Sequence, residues 1–223
     1  MNGKLFMHAL TKVIFGLLLV GVLLFLPAGS FSYWNGWLLM GLLFIPMIVA
    51  GFVMLKKNPE LLQKRLNAKE EQSEQKTVII LSGLMFLAAF IFAGLNFRFN
   101  WVVLPKWIVY GATAVFLLGY VLYAEVLREN AYLSRTVEVQ ENQKVIDTGL
   151  YGIVRHPMYM STVLLFLSMP FILGSLLSFI IMLFYLPIIA KRIRNEEQVL
   201  ERGLSGYAQY KERVRYKVIP YIW

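Results

Sequence analysis

A chain of 223 residues that is 58% hydrophobic and 16% charged carries far less charge than the roughly 25% of a soluble domain, and it reads as an integral membrane protein. With no cysteine, it excludes disulfides, zinc–thiolate centres, iron–sulfur clusters and cysteine nucleophiles, and His8 as the only histidine besides His156 argues against a metal role for the latter. The net charge of +9 lies beside apolar segments, which suits anionic headgroups and argues against nucleic acid.

A membrane-spanning helix needs about 20 apolar residues. Four stretches meet that length, at Thr11 to Leu26, Trp34 to Leu55, Thr77 to Phe97 and Leu104 to Leu127. The first could be taken as a signal peptide, with "PAGS" at Pro27 to Ser30 as its cleavage site. Removing it would leave the charge alternation described below without its first crossing, so it is read as a span. Between the second and third spans, "KKNPELLQKRLNAKEEQSEQK" begins with Asn58 as a helix N-cap and Pro59 at the first helical position. It is predicted to be a helix lying along the headgroups.

After the fourth span, "SRTVEVQENQKVIDTG" alternates at Val137 and Val139, turns near Glu141-Asn142 and resumes at Val145-Ile146. That pattern predicts a small β-hairpin or an extended connector. A fifth apolar run, Met160 to Ala190, would be about 46 Å long as one straight helix, too long for a hydrocarbon core about 30 Å thick. Pro170, Gly174 and Ser175 sit near its middle, so residues 160–190 are predicted to form a helical hairpin with both ends on one side.

The basic residues support this folding. Twenty of the 22 Lys and Arg residues fall before the first span, between spans two and three, between span four and the hairpin, or after the hairpin. Only Arg98 and Lys106 occupy the remaining connection. Both chain termini are therefore expected on the cytoplasmic side. The expectation is an all-α integral membrane protein in a single domain: residues 1–127 give four transmembrane helices, and residues 128–223 give the hairpin with a cytoplasmic connector and tail.

Two polar clusters should meet where the hairpin returns. The first is "GLYGIVRHPMY", Gly149 to Tyr159, and the second runs from Arg192 to Tyr210 with "RNEEQVL" and "GYAQYKERV". Arg-His-Pro-x-Tyr, a long apolar hairpin, Glu-Glu and Tyr-x-x-Tyr together resemble the isoprenylcysteine carboxyl methyltransferase family, over residues 145 to 221. Its wider group includes phospholipid N-methyltransferases and, more distantly, membrane sterol reductases. The resemblance implies a methyltransferase that uses S-adenosyl-L-methionine in a cytoplasmic pocket and takes a lipid-like or prenylated acceptor from the bilayer. It nominates Arg155, Tyr159 and Glu197 for catalysis, and Tyr151, His156, Pro157, Glu196, Tyr207 and Tyr210 for the cofactor. Two positions depart from the family pattern. Ser161 stands where glycine is common, and Gly206 where an acidic residue is common.

The residue types suit the chemistry that the resemblance implies. A carboxylate can accept hydrogen bonds from a ribose diol or pair with an α-amino group. Adjacent helical residues point about 100° apart, so only one of Glu196 and Glu197 should face the pocket. Arg155 is expected to grip the acceptor's negative group with its guanidinium fork. Two other readings stay open at this point, a nicotinamide-dependent reductase of the sterol-reductase type and a non-catalytic membrane scaffold.

Overall fold

The computed structural model describes residues 3–66, 73–133 and 137–223, and no strand occurs among them. Its α-helices are α1 (Gly3–Ala28), α2 (Trp34–Lys57), α3 (Pro59–Leu66), α4 (Ser73–Phe99), α5 (Lys106–Glu129), α6 (Pro157–Ile172), α7 (Leu176–Met182), α8 (Tyr185–Gly203) and α9 (Tyr207–Arg213). A 3-10 turn at Gly149–Gly152 precedes α6. Five segments are long and apolar enough to cross a membrane: α1, α2, Gln75–Phe99, α5, and Leu176–Gly203 taken as one. Their outward faces carry exposed Leu, Ile, Val and Phe side chains, as hydrocarbon solvent requires.

Small residues set how closely these helices approach. A methyl group added at Gly94 of α4 would lie 2.6 Å from the Leu24 carbonyl oxygen of α1. One at Gly119 of α5 would lie 2.9 Å from the Leu165 side chain of α6. The glycines let backbones pack at a distance that larger residues forbid. Ser161 is fully buried beside that second crossing, which explains why the position after the motif stays small.

The long apolar run divides at Leu173 to Ser175. Helix α6 has 16 residues and is about 24 Å long. Gly174 then takes φ +73°, and the Ser175 side chain caps α7 by accepting from the Ser178 amide. Breaking a helix inside a membrane exposes carbonyl groups that lipid cannot satisfy. Here the neighbouring helices supply the donors. The Tyr33 hydroxyl donates to the Leu173 carbonyl at 2.7 Å, the Asn35 amide to Ile172 at 2.6 Å, and the Asn96 amide to Gly174 at 3.1 Å.

The connector before the site takes the extended form. Val139 and Val145, with Leu200, pack against Leu204, Tyr207, Tyr210 and Val214, so these apolar side chains cover the end of α8 and α9 and form no strand ladder among the described residues. The turn does fall where it is expected, with Asn142 at φ +56° and the Gln143 amide donating to the Gln140 carbonyl. Ser134 to Thr136, the start of the predicted hairpin, lie outside the described residues. Asn58 caps α3 through the Leu61 amide at 3.1 Å, and the remainder of that predicted surface helix, through Gln72, is likewise not described.

Two outcomes follow. Asn35→Leu should leave the Ile172 carbonyl without its donor and destabilise the protein by about 1–3 kcal/mol, read as earlier thermal unfolding in detergent. The topology is testable because the chain has no native thiol. A cysteine at Val103, which is 78% exposed between α4 and α5, should be labelled from the non-cytoplasmic side, and one at exposed Gln209 from the cytoplasmic side. Labelling of both from one side contradicts the topology.

Candidate active site

The motif before α6 is held by the end of α5. Gly149 has φ +51°, and a side chain there would collide with the Glu129 carboxylate, whose oxygen would lie 1.7 Å from the added carbon. That carboxylate accepts from the Leu150 amide at 3.2 Å, so the left-handed glycine is what lets α5 cap the 3-10 turn. Asn130 donates to the Tyr151 hydroxyl at 2.8 Å, and the Tyr210 hydroxyl donates to the Tyr151 carbonyl at 2.7 Å. Pro157 occupies the first position of α6 with His156 as its N-cap residue, where a missing amide hydrogen costs nothing. The chain therefore stops being extended at His156 and becomes helical at Pro157.

Helix α8 returns beside this point, and the two adjacent glutamates do different things. Glu197 is 4% exposed and points inward. Its Oε1 lies 2.8 Å from Arg155 Nε and 3.3 Å from His156 Nε2, and its Oε2 lies 3.1 Å from Lys217 Nζ. Glu196 turns instead towards the cavity described below, where its carboxylate accepts from the Tyr159 hydroxyl. The Tyr159 hydroxyl also accepts from Arg192 Nε at 2.9 Å, and Arg192 Nη1 donates to Gln75 of α4 at 3.0 Å.

Arg155 is buried, and its fork is engaged within the protein. Besides Glu197, its Nη1 donates to the carbonyls of Val214 at 2.7 Å and Arg215 at 2.8 Å. The backbone adds two further bonds, from the Arg155 amide to Tyr216 and from the His156 amide to Lys217. The guanidinium that the sequence suggests for an acceptor thus joins the motif to residues 214–217.

These elements enclose one polar cavity. Tyr151, Arg155, His156, Tyr159, Glu196, Tyr207 and Tyr210 line it, while Pro157 and Glu197 do not. Asn130, Tyr132, Gln143, Lys144 and Arg192 also line it. Sequence reasoning missed these five, since Asn130 to Lys144 sit in a connector without a motif and Arg192 resembles any basic residue at the end of a span. Glu138 and the apolar side chains of Leu133, Val137, Val145, Ile146, Met158, Leu200 and Leu204 complete the wall. Burial pushes the Tyr151 hydroxyl up to about 12. Burial also raises Tyr210, and it raises Tyr207 with help from the negative charge of Glu197 and Glu196. All three phenols therefore keep their protons near neutrality. The Tyr207 hydroxyl is buried and has no hydrogen-bond partner among the described residues.

Residues 108–202 match the sequence profile of the isoprenylcysteine carboxyl methyltransferase (ICMT) family. This stretch, less than half of the chain, is similar to that family. It runs from α5 through most of α8, so it contains Arg155-His156-Pro157, Tyr159 and the Glu-Glu pair and ends before Tyr207 and Tyr210. The chain is also similar to a Delta(14)-sterol reductase of Mus musculus, 30% identical over 91 residues. That match covers 40% of this chain and 22% of the reductase, so the chain spans well under two thirds of that relative's length. The similarity to the ICMT family thus reaches further into α5 than the motifs alone suggest. Gly206, the second departure from the family pattern, has φ +85° and leads into α9, a conformation that favours glycine over an acidic residue.

Arg155→Lys keeps the charge but cannot reach Glu197 and two carbonyls together. It should destabilise the protein by about 2 kcal/mol through the carbonyls left without donors, visible as a lower unfolding temperature without any ligand. An unchanged unfolding temperature would show that the clasp contributes nothing to stability.

Proposed function

We propose that this chain is an S-adenosyl-L-methionine-dependent methyltransferase acting on a lipid-like acceptor, a carboxylate such as that of an isoprenylcysteine-like group. The observation that carries this reading is the cavity at the hairpin's open end, with an ICMT-family motif on one wall and the unpartnered Tyr207 hydroxyl on another. The site is read as cytoplasmic, with both chain termini on that side.

The residues fit the cofactor's chemistry. A buried hydroxyl without a partner calls for a ligand group, since leaving it unpaired costs free energy. Tyr207 would hold a polar edge of the cofactor, Glu196 its diol or amino group, and Leu200, Leu204, Val145 and Ile146 its purine. When bound, S-adenosyl-L-methionine supplies an activated methyl group on a sulfonium. Methyl transfer to an ionised carboxylate needs no general base, so the protein's task is alignment and exclusion of water. Tyr159 and Arg192, at the membrane end of the cavity, would orient the acceptor's polar head. Arg155, His156, Pro157 and Glu197 would act as positioning residues that fix the cavity's shape, while Tyr151 and Tyr210 lock the 3-10 turn to α9.

The similarity to a sterol reductase supports a second reading, a nicotinamide-dependent reductase using the same cavity. Calorimetry on the purified protein separates the two. Binding of S-adenosyl-L-methionine is expected, weakened about 3- to 10-fold in Tyr207→Phe by loss of one hydrogen bond. Membranes given methyl-labelled cofactor and a lipid extract should yield a labelled lipid by mass spectrometry. Binding of NADPH without binding of S-adenosyl-L-methionine would overturn the proposal.

A further inference from the structure

The segment that Arg155 clasps has a second property unrelated to methyl transfer. From Val218 to Trp223 the chain folds into a closed loop that bonds to itself. The Val218 and Ile219 amides both donate to the Trp223 carbonyl, at 2.8 and 2.9 Å, and the Ile222 and Trp223 amides donate to the Ile219 carbonyl, at 3.1 and 3.0 Å. Pro220 has no amide hydrogen to satisfy. A loop whose donors are nearly all closed internally is suited to a medium that offers no hydrogen bonds.

Its side chains point the same way. Val218 is 2% exposed and packs in one cluster with Met85 and Ala89 of α4 and with Met182, Tyr185 and Ile189 of α7 and α8. The same cluster holds Ile193 and Tyr159, and Tyr159 bonds Glu196, so Val218 packs at the end of the apolar segments that lies beside the polar site. The residues that follow it turn outward. Tyr221 is 87% and Ile222 77% exposed, with Ile219 partly exposed beside them. The loop is tied by Tyr216 and Lys217 to Arg155 and His156, directly before α6 begins, which is where the chain enters the apolar layer. In water such a cluster would be a liability, whereas at the headgroup–acyl boundary it is an anchor.

We propose that residues 218–223 form an interfacial loop, with Tyr221 and Ile222 seated in the headgroup–acyl boundary of the chain's own bilayer beside the start of α6. The lipid is the partner, because Val218 at the base of the loop packs with apolar residues of the spans and the side chains that follow it are apolar or aromatic and exposed. The exposed Arg215, at the base of the loop, suits the phosphate layer above it. The loop also reaches the Glu197 cluster. Lys217 Nζ lies 5.5 Å from the centre of the Trp223 ring and 3.1 Å from Glu197, so a loop held by lipid braces the outer side of that ion cluster.

The test uses the full chain in lipid nanodiscs. The absence of native cysteine allows a single fluorophore at Ile222→Cys, with Tyr221→Cys as a second site. Both side chains are exposed; Ile222→Cys is the primary site, because Tyr221 also contacts the Tyr216 ring, with 5.3 Å between ring centres. Lipids spin-labelled high on the acyl chain should quench both labels strongly, and aqueous iodide only weakly. The same fluorophore at Gln209→Cys, on exposed α9, should show the reverse. Labels at 221 and 222 that iodide quenches and spin-labelled lipid leaves untouched would overturn the proposal. So would quenching by lipid at 221 and 222 no greater than at 209. Neither result depends on the identity of the cofactor or the acceptor.

Discussion

The structure depends on one buried carboxylate. Glu197 draws together Arg155 and His156 from the turn before α6, and Lys217 from the segment after α9. Removing such a charge from water costs several kcal/mol, and only close cationic partners with good hydrogen bonds offset it. The three partners come from segments distant in sequence, so the carboxylate is satisfied only when α8 has returned, the motif has turned and the final segment has docked. A cluster of this kind selects one arrangement over near neighbours, because each partial assembly leaves a buried charge or a buried carbonyl alone.

The apolar half of the molecule solves the complementary problem. Folding a chain back inside a bilayer frees backbone carbonyls, and Tyr33, Asn35 and Asn96 meet them at Leu173, Ile172 and Gly174. The hairpin is thus fixed at both ends by polar contacts, three neutral donors at the tip and an ion cluster at the mouth. Between those ends packing is joined by a hydrogen bond across the hairpin, Thr162 to the Tyr185 hydroxyl at 2.6 Å, and Gly94 and Gly119 let the backbones come close. Rigid ends and a closely packed middle are what a cavity needs if it is to hold a polar ligand at one membrane surface and admit an apolar one from the side.

Much of this was legible in the sequence for simple reasons. Spans show as length and hydropathy, and the fold-back shows because Pro170 and Gly174 interrupt a run too long for the bilayer. Seven of the nine nominated residues line one cavity because a hairpin must return its end to its beginning. What the sequence hid depends on rotation and on distant contact. Nothing in "NEEQ" says which carboxylate turns inward, since that is decided by where Lys217 arrives. Arg155 and Arg192 look alike as basic residues beside a span and both line the cavity, yet Arg155 is held by Glu197 and two carbonyls while Arg192 holds the Tyr159 hydroxyl. The alternation at Val137 and Val139 suggested a strand or an extended connector; the connector is extended, and Val139 and Val145 pack on the end of α8 and on α9 with no strand among the described residues. The "IPYIW" loop has no period to read, so its self-closure and its depth emerge only from coordinates.

The central claim is a division of labour between two adjacent carboxylates, one holding the fold and one serving the cavity. The most direct test compares the unfolding temperatures of Glu197→Gln and Glu196→Gln in detergent, each without ligand. Losing the charge at Glu197 strands Arg155 and Lys217 around a neutral amide, and breaking a buried pair costs about 3–5 kcal/mol. Glu197→Gln should therefore unfold well below the parent, while Glu196→Gln should unfold close to it. Equal effects, or a larger loss at Glu196, would contradict the account.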